Sequence, residues 1–398
     1  MASLVSLGLV TACGQVPGGT PDAGTEVDAP PPPLAECKAQ RAVYLIGGIG
    51  GLAWFTLTWP APAVITGFQT GYSFDDVANA KIVATEAAHP LYVRRIGNRG
   101  LWEGLGKDPH PSVFVAGTNE THTRLPESIL LSTAEGLAAS GAVLQSDLAP
   151  KIAVLSFSPG GPYGSRMGAP TPVDVTTIDS AVAAFRGLVS AEVEQQLTPS
   201  AAQLARYVPP GATNQERLLG SQLAFTVNAM RLGLVSSVMM QAVADDPHAA
   251  FESGAAGRRA DSLAAMLDEF YRELSMSSEP TCGSGGAALS LADNVVTVVV
   301  GDTPKNPFSS AGWSDATPNF ANWMYVRSNG FTKPGWFGAV QPGTRINFNP
   351  ITGAADPDAT LADSTAAAFA GALYAIARGD KAKVRLVTEA PFDGVILR

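Results

Sequence analysis

The chain has 398 residues, 46% of them hydrophobic and only 15% charged, so it can bury a sizeable core. A formal net charge of -9, with no local Lys/Arg run to offset it, argues against a nucleic-acid partner, whose phosphates need a basic footprint. With 41 glycines and 30 prolines, the chain should carry long irregular loops rather than form a compact helical bundle.

At the N-terminus a short apolar run, Leu4 to Val10, leads into Thr11-Ala12-Cys13. Val-Thr-Ala-Cys resembles a bacterial lipobox, in which small residues precede the cysteine that receives lipid. The resemblance implies a signal peptide over 1–12 and a lipid-anchored protein exported to the outer membrane or periplasm. From Cys13 to Glu36 the chain carries Pro30 to Pro33 with Asp22, Glu26 and Asp28 and almost no large apolar side chain. Such a stretch cannot offset its chain entropy by burial, so 13–36 reads as an extended, disordered tether before a single domain over 37–398. No other apolar run approaches the ~18 residues a spanning helix needs.

The chain has 3 cysteines. If Cys13 carries lipid, Cys37 and Cys282 remain as one pair in an oxidising compartment and are expected to form a disulfide, joining the start of the domain to a Gly-rich loop at Thr281 to Gly286. Neither a CxxC motif nor a Cys/His cluster is present, so a structural zinc site is not expected.

In chain order, Arg41 to Ile46 reads as a short buried strand ending at Gly47-Gly48. Ser112 to Ala116 and Ile152 to Phe157 are further strands, with an Ala/Leu-rich helix over Glu127 to Leu144 between them. Ile178 to Val189 reads as a helix. Thr213-Asn-Gln-Glu216 is a capping box, in which hydroxyl and carboxylate satisfy opposite orphan donors. Leu219, Leu223, Val227 and Met230 follow at helical spacing until Gly233. Ser236 to Val243 reads as a strand, and the next helix presents Leu263, Leu267, Phe270 and Leu274 on one face. Val295 to Val300 (VVTVVV) is the most β-branched run and reads as a central strand buried on both faces. A last helix, Ser364 to Arg378, has Asp363 as its expected N-cap, turns Phe369, Leu373 and Ile376 inward and stops at Gly379. This alternation predicts an α/β fold: a mostly parallel sheet with helices on both faces.

In such sheets ligands bind beyond the carboxyl ends of the strands. After Ser236 to Val243 come Asp245-Asp246-Pro247-His248, where Asp246 and His248 can face the same side of an extended chain and suit a divalent cation. Asp-Pro is also a common turn starter. Asp302 and Asp315 follow the VVTVVV strand, and His122 lies in Gly117-Thr118-Asn119-Glu120-Thr121-His122; it is one of 4 histidines, with His89, His110 and His248. Aspartates near glycine usually only make turns, and a loop histidine is more often a surface group than a ligand. There is no G-x-S-x-G elbow, no Walker pattern and no H-E-x-x-H. Gly47-Gly48-Ile49-Gly50-Gly51 could cradle a phosphate, but Leu52-Ala53-Trp54-Phe55 makes no polar helix start, which favours a packed turn.

The order of these features resembles an exported bacterial family of uncharacterised function within the alkaline phosphatase and sulfatase-like superfamily. Its early Gly-Gly-x-Asp-Gly-Leu turn is matched by Gly47 to Leu52, and its Trp-Asp-Thr-His segment by Asp245 to His248. Its Glu-Phe-Gly-Arg-Thr-Pro and Gly-x-Asp-His segments correspond to Gly301 to Pro304 and Gly312 to Ala316. The resemblance implies an alkaline-phosphatase-like α/β domain, and Asp246, His248 and Asp315, together with His122 from the exit of the Ser112 to Ala116 strand, are the residues left to hold one divalent metal ion. Gly50 stands where the family has aspartate and Ala316 where it has histidine, so no nucleophile is evident, and no catalytic residue is assigned.

Three readings follow. The favoured one is a surface lipoprotein of alkaline-phosphatase-like scaffold, catalytically impaired, acting in binding or envelope organisation. The second is a metal-dependent hydrolase of phosphate or sulfate esters, with a divalent ion as its cofactor. The third is glycan binding through Trp313, Phe320, Trp323, Tyr325, Phe331, Trp336 and Phe337, although large aromatics crowded among Gly, Asn and Pro more often pin a loop-rich flap to the core.

Overall fold

The computed structural model describes residues 35–46, 58–60, 81–83, 91–93, 95–96, 99–100, 111–118, 129–157, 172–208, 210–241, 255–300, 321–341 and 344–397. All of them belong to one unit, Leu34–Arg398; the other unit, Met1–Pro33, lies outside the described residues.

Eight strands form the main sheet. They are β1 (Arg41–Ile46), β2 (Ser112–Thr118), β3 (Ile152–Ser156), β4 (Val173–Asp174), β5 (Val235–Gln241), β6 (Val295–Val300), β7 (Ala321–Arg327) and β8 (Gly335–Phe337). Their spatial order is β8-β2-β7-β6-β1-β5-β3-β4. β7 runs antiparallel to both of its neighbours, and every other pairing is parallel. β1, the first strand among the described residues, therefore sits in mid-sheet, between β5 and β6. All six residues of β1 and all six of β6 are buried, as expected of parallel strands covered on both faces.

Helices cover both faces. They are α1 (Ile129–Leu144), α2 (Ile178–Ala183), α3 (Ala191–Leu197), α4 (Ala201–Tyr207), α5 (Asn214–Arg231), α6 (Ala255–Ser275), α7 (Leu361–Ile376) and α8 (Lys381–Val384). Alternate residues of β1 point to opposite cores. Val43 and Leu45 pack with Leu223 and Val227 of α5 and with Leu267 and Phe270 of α6. Ala42, Tyr44 and Ile46 pack with Leu137 of α1 and with Leu373 and Ile376 of α7. The valines of β6 divide the same way, and each full burial contributes roughly 1.5–3 kcal/mol over exposure. The α/β class expected from the sequence is the class observed.

The capping box of α5 forms: the Glu216 amide donates to Thr213 Oγ1 at 3.2 Å, and the Thr213 amide donates to Glu216 Oε2 at 2.6 Å. Leu263, Leu267, Phe270 and Leu274 are all buried along α6. Three local expectations are corrected. The helix expected over Ile178 to Val189 stops at Ala183: the next amides bond three residues back, Phe185 to the Val182 carbonyl and Arg186 to that of Ala183, and the chain then turns through Gly187 (φ +80°), with Arg186 and Val189 paired in a β-bridge. The N-cap of α7 is Thr360, not Asp363. The Asp363 amide donates to Thr360 Oγ1 at 3.1 Å, and the Thr360 hydroxyl donates to the Asp363 carboxylate at 2.7 Å. The Gly-rich stretch around Cys282 is a β-hairpin, Ser278–Ser284 against Ala287–Ser290, turned by Gly285 and Gly286, both at positive φ.

Candidate functional site

Parallel pairing sets the carboxyl ends of the central strands along one edge. Ile46 is level with Gln241 of β5 and with Val300 of β6, Met239 of β5 is level with Ser156 of β3, and Ala321 of β7 is level with Thr118 of β2. An open α/β sheet binds ligands at this edge. The chain leaves it through 47–57 after β1, 119–128 after β2, 158–171 after β3, 242–254 after β5 and 301–320 between β6 and β7. His122, Asp246, His248 and Asp315 fall within these segments, and so do Gly50, Asp302 and Ala316; all lie outside the described residues, as does Cys13. Among the described residues there is no group of three or more His, Cys, Asp or Glu side chains able to hold a metal ion.

The opposite, amino edge is described in detail, and it is sealed. Arg41, the first residue of β1, is fully buried and forms a two-pronged ion pair with the equally buried Glu279: Nε to Oε2 at 3.0 Å and Nη2 to Oε1 at 2.7 Å. Arg41 Nη1 also donates to the Val235 carbonyl at the start of β5, at 2.5 Å. Burial alone would raise the Glu279 carboxyl, but hydrogen bonds and charge from Arg41, with bonds from Thr281 and Asn294, hold it below the usual range. Thr281 Oγ1 donates to Glu279 at 2.6 Å and Asn294 Nδ2 at 3.1 Å. Asn294 Oδ1 in turn accepts from Arg378 at 2.7 Å, and desolvation lowers the pKa of that arginine.

The expected disulfide lies on the same edge. Cys37 and Cys282 are bonded, and both are buried. Beside the bond, the Cys37 amide donates to the Gly283 carbonyl at 3.1 Å and the Gly283 amide to the Ala35 carbonyl at 2.8 Å, so residues 35–37 join the hairpin through a single parallel bridge, Glu36 to Gly283. A shallow cleft of about 200 Å³ opens over Cys282, between Glu36, Lys38, Asp147 and Thr281. Its charged rim is partly neutralised, because Asp147 accepts a bond from Lys383 at 2.8 Å.

Sequence reasoning missed the Arg41–Glu279 pair. The available signal was an arginine directly before an apolar strand, where a charge with no buried partner would be costly. The aromatic segment divides on inspection: Tyr325, Trp336 and Phe337 are buried in the sheet, and Phe337 stacks on Phe114 at 5.0 Å, so these rings present no face to a sugar. Trp313 and Phe320 lie outside the described residues.

Fold and site together define an α/β protein with a mostly parallel sheet and a disulfide-clamped amino edge. No protein-family model and no curated protein matches the chain. Among solved structures it is similar to the C-terminal periplasmic domain of EcEptC from Escherichia coli, in complex with Zn, at 10% sequence identity and a TM-score of 0.28. That likeness covers 74% of this chain and 76% of the other, and at this TM-score it carries no argument about chemistry. Among the described residues, no helix is long and apolar enough to cross a membrane.

Proposed function

We propose that the chain is an exported binding protein on an alkaline-phosphatase-like scaffold, held at the cell envelope by lipid on Cys13 and catalytically impaired. The observation that carries export is the Cys37–Cys282 disulfide, a bond type that persists in oxidising compartments. The pairing also leaves Cys13 as the one cysteine with no partner in the disulfide, as a lipidated residue must be. The scaffold reading is supported by the parallel sheet with helices on both faces.

Residue types support a loss of hydrolysis. Glycine at 50 offers no nucleophile, and alanine at 316 offers no metal ligand. What remains for ligand binding in the segments that follow the strands is His122, Asp246, His248 and Asp315, whose carboxylates and imidazoles suit one divalent ion or a ligand carrying hydrogen-bond donors. Expression with the native leader tests the anchor: the wild-type chain should partition with membranes and take up labelled fatty acid, and Cys13→Ala should do neither. Equal partitioning of the two forms would refute the lipid anchor.

A further inference from the structure

Asn329 and Gly330 follow β7 at its amino-edge end, and both have positive φ, 57° and 85°. Two successive left-handed residues make the tight turn that Asn-Gly favours. Among the asparagines of the chain, Asn329 alone is followed by glycine. Its carboxamide is also a knot in the amino edge. Nδ2 donates to Gln40 Oε1 at 2.7 Å and to the Val295 carbonyl at 3.0 Å, while Oδ1 accepts from Arg327 Nη1 at 2.8 Å. One side chain thus ties the exit of β7 to the residue preceding β1 and to the first residue of β6. Gln40 is fully buried, and its own amide group donates to the Ala375 carbonyl at 2.7 Å, beneath the end of α7.

We propose that Asn329 is a modification site: a deamidation point restrained by the fold, whose conversion unties the amino edge. In the reaction the Gly330 backbone nitrogen attacks Asn329 Cγ. An N–C bond forms, the Cγ–Nδ2 bond breaks, and Nδ2 leaves as ammonia with the proton lost from the Gly330 amide. Water then opens the cyclic imide to aspartate or isoaspartate, so one water is consumed and one ammonia released. Glycine is the residue that least hinders this attack, because it has no Cβ.

The folded turn restrains the reaction because the departing nitrogen is bonded to two acceptors on neighbouring strands. The product reverses the electrostatics. A carboxylate would face Gln40 Oε1 and the Val295 carbonyl, two acceptors, with no proton to give either, so two half-buried bonds are lost and acceptors are left opposed. Since the disulfide clamps this same edge, opening of the turn should be easier once Cys37 and Cys282 are reduced.

The test is peptide mass mapping of the full chain after prolonged incubation in mildly alkaline buffer, in oxidised and in thiol-reduced form. The expected result is a one-dalton gain with isoaspartate at Asn329, ahead of every other asparagine, and several-fold faster in the reduced protein. Conversion that is equal in the two forms, or that occurs first at another asparagine, overturns the proposal. Asn329→Asp tests the consequence separately. Its urea midpoint should fall and hydrogen exchange of the β1 amides should accelerate, and a variant matching wild type in both would refute the untying.

Discussion

Replacing Arg41 by methionine removes one partner of an ion pair whose two side chains have no solvent exposure. The Glu279 carboxylate would keep only its bonds from Thr281 and Asn294, and the Val235 carbonyl would lose its donor from the guanidinium. An uncompensated buried charge of this kind costs about 3–5 kcal/mol, a large share of the roughly 5–15 kcal/mol that keeps a domain folded. Equilibrium urea unfolding of the oxidised protein should show that loss. Arg41→Met with Glu279→Leu should recover most of it, because an apolar pair leaves no charge without a partner. A single variant costing under about 1 kcal/mol, the value of a solvated surface pair, or a double variant as unstable as the sum of its singles, would refute the claim that this pair seals the edge. The pH dependence follows with a definite sign. The folded Glu279 carboxyl sits below its unfolded value, so its contribution is present above the ordinary glutamate pKa of about 4.3 and is lost as pH falls through the lower folded value. Wild-type stability should therefore fall on acidification more steeply than that of Glu279→Gln.

The disulfide spans 245 residues of sequence, and closing so long a loop removes denatured-state entropy worth about 5 kcal/mol in the chain-entropy model. The paired Cys37→Ala and Cys282→Ala variant should lose stability on that scale in chemical unfolding; a loss below about 2 kcal/mol, the lower end of typical values, would show that the edge is held mainly by its hydrogen bonds. Thr213→Ala breaks the capping box of α5 and should cost about 1 kcal/mol, read as a lowered urea midpoint with the fold retained by circular dichroism. If Cys13 is left unlipidated, its short loop to Cys37 closes more readily than the native one. With loop probability falling as the three-halves power of length, the advantage over the 245-residue closure is roughly thirtyfold in the unfolded chain. Refolding of the unlipidated chain in a glutathione buffer should accordingly accumulate a Cys13–Cys37 species on non-reducing peptide maps, and Cys13→Ser should abolish it with a gain in native yield.

What could be read in the sequence was what short-range physics dictates. The β-branched run at Val295–Val300, the apolar run at Arg41–Ile46 and the Thr213/Glu216 box each carry their own signal, and each forms where expected. The cysteine pairing could be read by elimination. Illegible features depended on distant partners or on single backbone angles. Arg41 looks like a strand flank until Glu279, 238 residues away, arrives to neutralise it. The helix over Ile178 to Val189 gives way after Ala183 to tighter turns, and α7 begins three residues early because the Thr360 hydroxyl caps it. Tyr325, Trp336 and Phe337 are buried, in line with the reading of large aromatics among Gly, Asn and Pro as rings that pin the chain to the core rather than as a sugar-stacking surface. His122, Asp246, His248 and Asp315 are legible as ligand-type residues in the segments that follow strands.

The most direct test of a catalytically impaired binding protein is the metal content of the mature chain, purified without chelator, measured alongside its turnover of aryl phosphate and aryl sulfate esters. The proposed reading predicts no ester cleavage above the buffer rate, with or without added divalent ions, and no change on His248→Ala. Stoichiometric bound metal together with ester cleavage that disappears in His248→Ala would contradict it and establish the hydrolase instead.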